Sequence, residues 1–149
     1  PSLHSLRKSD PRLLIALVPN SETNSLATAP YRIATDPFRF PKSLLISPRG
    51  NGYGECSFKL SPALPGYLEM DSRFLNRLQG EYAPSSGDLV LTLGGEFLGM
   101  MINDQYCALV SSLETGTTLP LDSKGAQQTT GTGLSTLQRA TGQLDSRLR

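Results

Sequence analysis

The chain folds around Gly80-Glu81-Tyr82-Ala83-Pro84-Ser85-Ser86-Gly87-Asp88-Leu89-Val90-Leu91, which continues into Thr92-Leu93-Gly94-Gly95-Glu96-Phe97-Leu98-Gly99-Met100. A Ser-Gly loop, an apolar strand, a Gly-Gly turn and a second apolar strand follow one another here. This order is typical of a β-hairpin, because Gly-Gly between two apolar runs favours a tight reversal of the chain. The sequence therefore predicts a hairpin with Ser86 at its mouth.

Further strands are predicted on both sides of this hairpin. Residues 13–18 form a continuous apolar run, which predicts a central strand buried on both faces. Residues 44–46 and 55–60 flank a Gly-rich turn and predict a second hairpin, and residues 105–110 predict a last strand. Short strands joined by Gly and Pro turns indicate a mainly all-β fold, an antiparallel β-barrel of about six or seven strands.

Composition divides the chain into four segments. Residues 1–10 are a polar lead-in that we expect to be loosely held, and residues 11–113 carry the β-barrel domain. Within that domain, a capping Asp and a final Gly predict one short helix over residues 71–80. Residues 114–133 are rich in Thr, Gly, Gln and Ser and predict a flexible linker, and residues 134–149 predict an amphipathic helical tail.

Leucines in the tail recur at the spacing of a coiled-coil seam. They are Leu134, Leu137, Leu144 and Leu148. An isolated helix shorter than about 12 to 15 residues seldom holds in water, so this stripe needs a second surface. We expect either self-association or binding to a protein partner through these leucines, with docking on the chain's own barrel as the alternative.

Charge and hydropathy exclude several classes of function. The 149 residues include 14 basic and 13 acidic side chains, for a net charge of +1, which argues against a nucleic-acid partner or an anionic membrane surface. The longest apolar run is far shorter than the roughly 20 residues that a membrane-spanning helix needs. We expect a soluble protein, and the sequence leaves open whether it is cytoplasmic or periplasmic.

Few residues could support metal or redox chemistry. Cys56 and Cys107 have neither the spacing of a metal site nor that of a disulfide framework, so we expect buried free thiols, although an exported protein could pair them. His4 is the only histidine, which excludes a site with several histidine ligands. The sequence predicts no metal and no cofactor.

Two patterns in the chain have counterparts in a known family. The first is Ser86-Gly87-Asp88-Leu89-Val90-Leu91, followed by a turn and by Phe97-Leu98-Gly99-Met100-Met101-Ile102, and the second is Asp10-Pro11-Arg12-Leu13-Leu14-Ile15-Ala16-Leu17. Together they resemble the nucleophile region and the aspartate-bearing strand of trypsin-like serine peptidases. The resemblance spans residues 10–110 and implies the end of a first barrel and all of a second. It also implies Ser86 as the nucleophile and Asp10 as the triad aspartate.

Three positions depart from that family's pattern. His4 lies only six residues before Asp10, whereas the family's catalytic histidine precedes its aspartate by tens of residues. Pro84 stands where the family takes one backbone N–H for its oxyanion hole, and proline has no N–H to donate. Ser85 replaces the family's aspartate before the serine.

These departures favour a degenerate, non-catalytic member of the family. We expect such a barrel to act as a scaffold or protein-interaction module within a larger, bacterial protein. The alternative is an active serine endopeptidase with Ser86 as nucleophile and a histidine located upstream of Pro1. A third interpretation is a barrel unrelated to peptidases, in which the Ser-Gly loop is a structural turn only.

Overall fold

The structure, a computed structural model of the chain, describes residues 2–18, 30–36, 41–49, 52–71, 83–120 and 127–149, without the side chains of 127–130. Within these ranges the chain is mostly β, with one α-helix and a short 3-10 turn. The strands are β1 (Ser2–Leu6), β2 (Leu14–Ala16), β3 (Lys42–Ile46), β4 (Tyr53–Leu60), β5 (Tyr67–Met70), β6 (Leu89–Thr92), β7 (Phe97–Met101), β8 (Tyr106–Leu109) and β9 (Thr115–Pro120). The helix α1 is Gln127–Gly142, and the 3-10 turn is Ser146–Leu148. The helix predicted over residues 71–80 lies outside the described residues, apart from Asp71.

The chain divides into two compact units. Unit 1 comprises Pro1–Pro30 and Ser112–Leu144, and unit 2 comprises Tyr31–Ser111 and Asp145–Arg149. The described part of unit 1 therefore contains β1, β2, β9 and α1. The described part of unit 2 contains the six remaining strands and the 3-10 turn.

Unit 2 is a closed antiparallel barrel of six strands, in the order β3-β4-β5-β8-β7-β6. Closure comes from the pairing of β3 with β6, in which Leu45 lies opposite Val90. On its other side β3 pairs with β4, with Leu45 opposite Gly54. The prediction of a six- to seven-stranded antiparallel barrel is thus confirmed, at six strands.

Alternation of inward and outward side chains fills the barrel interior. In β4, Cys56 and Phe58 are buried while Glu55 and Lys59 are exposed, as the sequence predicts. Leu60, predicted on the buried face, is instead 53% exposed at the end of the strand. The buried cluster consists of Ala34, Leu45, Cys56, Phe58, Leu68, Met70, Val90, Leu98, Met101 and Cys107.

The hairpin of β6 and β7 forms where the sequence predicts it. Its turn begins at Thr92, whose carbonyl oxygen accepts a hydrogen bond from Gly95 N at 2.9 Å. Gly95 has φ of 82°, a left-handed conformation that glycine adopts without steric cost. The Thr92 hydroxyl accepts a further hydrogen bond from Glu96 N at 3.0 Å, so the side chain of Thr92 also closes the turn.

Strands β7 and β8 approach each other unusually closely at Gly99. A Cβ atom at this position would overlap the carbonyl oxygen of Ala108 and would lie 3.0 Å from Cys107 Sγ. Only a residue without a side chain fits this contact. Gly99 therefore belongs to the packing of the barrel wall and not to a turn.

Unit 1 contains a three-stranded sheet in the order β2-β1-β9, and this sheet corrects the prediction of a loose lead-in at residues 1–10. Residues Ser2–Leu6 form its central strand, because they pair with β2 on one side and with β9 on the other. Leu6 is buried, with 5% of its surface exposed. The lead-in is polar in composition but lies at the middle of a sheet.

The prediction of a central, doubly buried strand at residues 13–18 is wrong. Within the described residues, Leu14–Ala16 are the part of this run that pairs, and they pair with β1 on one side, so β2 is an edge strand of the described sheet. Leu17 and Val18 follow it with 65% and 44% of their surfaces exposed. A short apolar run fits a buried strand, but periodicity alone does not show which neighbours the strand will have.

The prediction of a flexible linker at residues 114–133 is also corrected. Thr115–Pro120 form β9, and Gln127–Gly142 form α1, so the described part of that segment is mainly regular structure. Threonine favours strands because its branched Cβ suits a pleated backbone, and the Thr-Gly-Thr-Thr run pairs with β1. The low hydrophobicity of this segment indicated a linker, whereas its β-branched threonines favour the strand that the structure contains.

The four-leucine stripe of residues 134–149 does not lie on one helix. Helix α1 ends at Gly142, and after a turn the chain forms the separate 3-10 turn Ser146–Leu148. Leu134 is 46% exposed and Leu148 is 2% exposed, and the two belong to different units. Gly142 interrupts the helix because glycine has poor helix propensity, so the seam loses its continuity there.

Candidate functional site

The Ser-Gly loop at the mouth of the β6–β7 hairpin is a closed turn. The carbonyl oxygen of Ser85 accepts a hydrogen bond from Asp88 N at 3.1 Å, and Gly87, the third residue of the turn, has φ of 94°. A positive φ at the third position is the property of a type II turn. Ser86 is therefore the exposed second residue of a standard reverse turn.

The carboxylate of Asp88 holds this turn from inside. It is 2% exposed, accepts a hydrogen bond from Ser85 N at 2.8 Å, and accepts one from the Ser85 hydroxyl at 3.3 Å. The only hydroxyl of the turn that contacts a carboxylate is thus that of Ser85. Activation of a serine requires a base within hydrogen-bond reach. Among the described residues, no hydrogen bond to the Ser86 hydroxyl occurs.

Three backbone N–H groups of the loop, those of Ser85, Gly87 and Asp88, donate hydrogen bonds within the barrel. Ser85 N donates to Asp88, Asp88 N donates to the Ser85 carbonyl, and Gly87 N donates to the Met101 carbonyl at 2.8 Å. Pro84, which is buried, has no N–H. An oxyanion hole needs convergent donors directed at a substrate oxygen. The position at Pro84 cannot supply one of them.

Asp10, the residue that resembles a triad aspartate, is buried in a tight turn of unit 1. Its carboxylate accepts two hydrogen bonds from the Arg12 side chain, at 2.8 and 2.6 Å, and one from Arg12 N at 2.8 Å. This fork-to-fork pairing is typical of a structural ion pair. His4 lies on β1, where its Nδ1 is 3.1 Å from Thr118 Oγ1 on β9. The described contacts do not bring His4 and Asp10 together.

The two cysteines are free thiols inside the barrel, as the sequence predicts. Burial, and to a smaller degree the charge of Asp71, raises the pKa of Cys56 to about 11. Burial raises the pKa of Cys107 well above its usual range. Both are therefore protonated at neutral pH. Within the described ranges, no group of three or more His, Cys, Asp or Glu side chains is placed to hold a metal ion.

A groove of about 330 Å³ lies within unit 1. Its lining includes Arg7 from β1, Thr117 from β9 and Leu137 from α1. Leu137 was predicted to lie on an association seam, whereas here it lines a groove of its own unit. Leu144, the next leucine of the predicted seam, is only partly exposed.

A second cluster lies on the barrel, where residues Asp145–Arg149 belong to unit 2. Asn103 Nδ2, in the turn between β7 and β8, donates a hydrogen bond to the carbonyl oxygen of Arg147 at 3.0 Å. Leu148 beside it is almost completely buried. Sequence reasoning missed this cluster.

Comparison with protein-family models, with curated proteins and with solved structures finds no match to this chain. The closed six-stranded antiparallel barrel is consistent with a chymotrypsin-like barrel. In the part of the chain that the structure describes, no helix is both long and apolar enough to span a membrane.

Proposed function

We propose that the chain is a non-catalytic barrel of the trypsin-like type that serves as a protein-interaction module within a larger, bacterial protein. The observation that carries this proposal is the closed turn at Ser85–Asp88. Its carboxylate binds Ser85 and not Ser86, and Pro84 removes an oxyanion donor. A closed six-stranded barrel in which, among the described residues, no base bonds to Ser86 supports this proposal.

The active peptidase is the second candidate, and the barrel topology favours it. A Ser-Gly turn that leads into a strand of a six-stranded antiparallel barrel agrees with the order of elements in trypsin-like enzymes. A histidine from a segment upstream of Pro1 could supply the missing base. It could not replace the N–H that Pro84 lacks, and loss of one oxyanion donor costs about 10² to 10³ in rate.

Exposed apolar side chains on both units support an interaction role. Tyr53 and Leu93 on the barrel are 77% and 45% exposed, and Leu134 on α1 is 46% exposed. Single exposed apolar residues are common, so the module's partner has to be found by experiment.

For α1 we propose that self-association, or contact with a protein partner, occurs through Leu134. Sedimentation of the chain and of Leu134→Asp tests this, and equal monomeric masses at high concentration would contradict self-association.

Labelling with a serine-reactive phosphonate tests the proposal of a non-catalytic barrel. The probe is added to the chain and to the longest natural form that contains it, and peptide mass spectrometry locates any adduct. Ser86→Ala is the matched control, because it removes the one hydroxyl in question and leaves the exposed turn otherwise intact. We expect no adduct at Ser86 in either form. An adduct at Ser86 that Ser86→Ala abolishes, in a folded sample, would establish the peptidase instead.

A further inference from the structure

The last residues of the chain occupy a site on the barrel. We refer to Asp145–Arg149 as the C-terminal clasp. Leu148 of the clasp is 2% exposed, although it lies one residue from the end of the described chain. The carbonyl oxygen of Arg147 accepts the hydrogen bond from Asn103 Nδ2. The clasp therefore contributes one buried apolar anchor and one backbone acceptor, which is how short peptides are commonly held.

The receiving side chain is fixed by the barrel and does not depend on the clasp. Asn103 Oδ1 accepts hydrogen bonds from Gln105 N at 3.0 Å and from Tyr106 N at 2.7 Å. One donor lies in the β7–β8 turn and the other is the first residue of β8, so the plane of the amide is set before anything binds to Nδ2. Pre-organised donors bind with a smaller loss of conformational entropy. The turn thus presents a fixed N–H to a peptide carbonyl.

Charge adds a second element of recognition. The Arg147 side chain donates two hydrogen bonds to Asp145, both at 2.9 Å, and Arg147 N donates to the same carboxylate. These bonds lower the pKa of Asp145 to about 2. The hydrogen bond to Asp145 is the main cause that raises the pKa of Arg147, and the negative charge of Glu69 on the barrel acts in the same direction. The guanidinium group therefore lies in a field that favours a cation.

We propose that the barrel surface around Asn103, Tyr106 and Glu69 is a recognition site for peptides with the pattern Asp-x-Arg-Leu, and that the C-terminal clasp occupies it in cis. This inference rests on the proposed interaction function and names the chemistry of the partner. A partner segment presents the same carbonyl, arginine and leucine. It binds when the clasp leaves, so the clasp also regulates the module.

Competition sets the size of this regulation. An occupant tethered to its own site acts at an effective concentration of about millimolar or more. A peptide in trans must displace it, so the chain with an intact clasp binds the peptide weakly. Loss of the clasp removes the competitor without removing Asn103 or Glu69. The affinity for the peptide should then rise.

Fluorescence anisotropy of a labelled synthetic peptide with the sequence of residues 143–149 measures this affinity on the full chain. Leu148→Asp releases the clasp, because Leu148 is 2% exposed and a carboxylate buried in its place carries a large desolvation cost. Leu113→Asp is the matched control, since Leu113 is 58% exposed and outside the clasp. We expect Leu148→Asp to bind the peptide at least tenfold more tightly than the unaltered chain, and Leu113→Asp to bind as the unaltered chain does.

Specificity is tested in the Leu148→Asp background. Adding Asn103→Asp keeps the oxygen that accepts from Gln105 N and Tyr106 N but removes the Nδ2 donor, and should weaken peptide binding about tenfold. The Arg-to-Ala change in the peptide should weaken binding by a similar factor. The proposal is overturned if the folded Leu148→Asp chain does not bind the peptide, or if it binds a peptide of scrambled sequence with equal affinity. Should Leu148→Asp unfold, Arg147→Ala weakens the clasp at a half-exposed side chain. If Arg147→Ala did not increase the affinity for the peptide, that result would also contradict the proposal. Either failure leaves the phosphonate result, and with it the non-catalytic assignment, untouched.

Discussion

Replacing Gly99 by Ala tests the packing of the barrel wall directly. The added methyl group would overlap the carbonyl oxygen of Ala108 and lie 3.0 Å from both the Ala108 carbonyl carbon and Cys107 Sγ. Carbon and oxygen atoms in contact normally stay about 3.3 Å or more apart. Two of the three obstructing atoms belong to the backbone of β8, which cannot rotate away as a side chain can. The strands must therefore separate.

Overpacking a well-filled core usually costs about 1 to 3 kcal/mol. Because the obstruction at Gly99 is backbone, we expect the upper end of that range, about 3 kcal/mol or more of lost unfolding free energy. Native proteins have only about 5 to 15 kcal/mol in total, so the variant should be visibly destabilised. Urea unfolding followed by circular dichroism measures the loss.

Gly94→Ala is the matched control in the same hairpin. A Cβ at Gly94 would meet only Thr92 Oγ1, at 3.5 Å, which is an ordinary contact. This variant should stay within about 0.5 kcal/mol of the parent, as surface substitutions usually do. If Gly99→Ala were as stable as Gly94→Ala, β7 and β8 would not approach as closely as described, and the barrel register at this point would be wrong.

Three further predictions concern single groups. The buried thiols of Cys56 and Cys107 should resist a thiol reagent in the folded chain. The unfolding free energy should also fall as the pH rises from about 9 towards 11, because the thiols of the unfolded chain lose their protons at a lower pH than those of the folded chain. Urea unfolding at a series of pH values measures this loss. Gly131→Ala should raise the melting temperature. A Cβ atom at this exposed helix position would meet nothing within 4 Å, and alanine has the better helix propensity, so the unfolding free energy should increase by about 0.5 to 1 kcal/mol. The Asp145–Arg147 hydrogen bonds should persist above the usual carboxyl pKa of 3.8 and disappear as pH falls through about 2, which NMR titration of the carboxyl carbon would show.

Local signals predicted the barrel well. The β6–β7 hairpin follows from Gly-Gly between two apolar runs, and the turn at Ser86 follows from Ser-Gly, because both depend on residues a few positions apart. The alternation in β4 correctly separates Cys56 and Phe58 from the charged residues between them. Such features need no knowledge of distant partners.

Unit 1 was not predicted because its sheet joins segments that lie far apart in the sequence. Thr117 N donates to Ser5 Oγ across 112 residues of sequence. The composition of neither segment indicates this pairing, because each segment on its own is polar and has no clear strand pattern. Pairing over such a distance is selected by tertiary packing, which overrides weak local preference.

Non-local contacts also limited the prediction of the site. Pro84 and a turn at Ser86 were evident from the sequence, but the burial of Asp88 was not, since an Asp three residues after a Ser is common in solvent-exposed turns. The contact between Asn103 and Arg147 spans 44 residues. It depends on where the helix ends, and the sequence placed that end beyond Gly142.

Amide hydrogen exchange at the Ser85–Asp88 turn tests the central claim most directly. If this loop is a closed structural turn, the N–H groups of Ser85, Gly87 and Asp88 are engaged at 2.8, 2.8 and 3.1 Å and should exchange at least about tenfold more slowly than in an unstructured peptide. Asp88→Ala should accelerate amide exchange most at Ser85, because the substitution removes the acceptor of Ser85 N. Ser86→Ala should change none of the three exchange rates. Exchange of Ser85 and Gly87 at the unstructured rate in a folded barrel would show an open loop with donors free for a substrate, and would contradict the non-catalytic account.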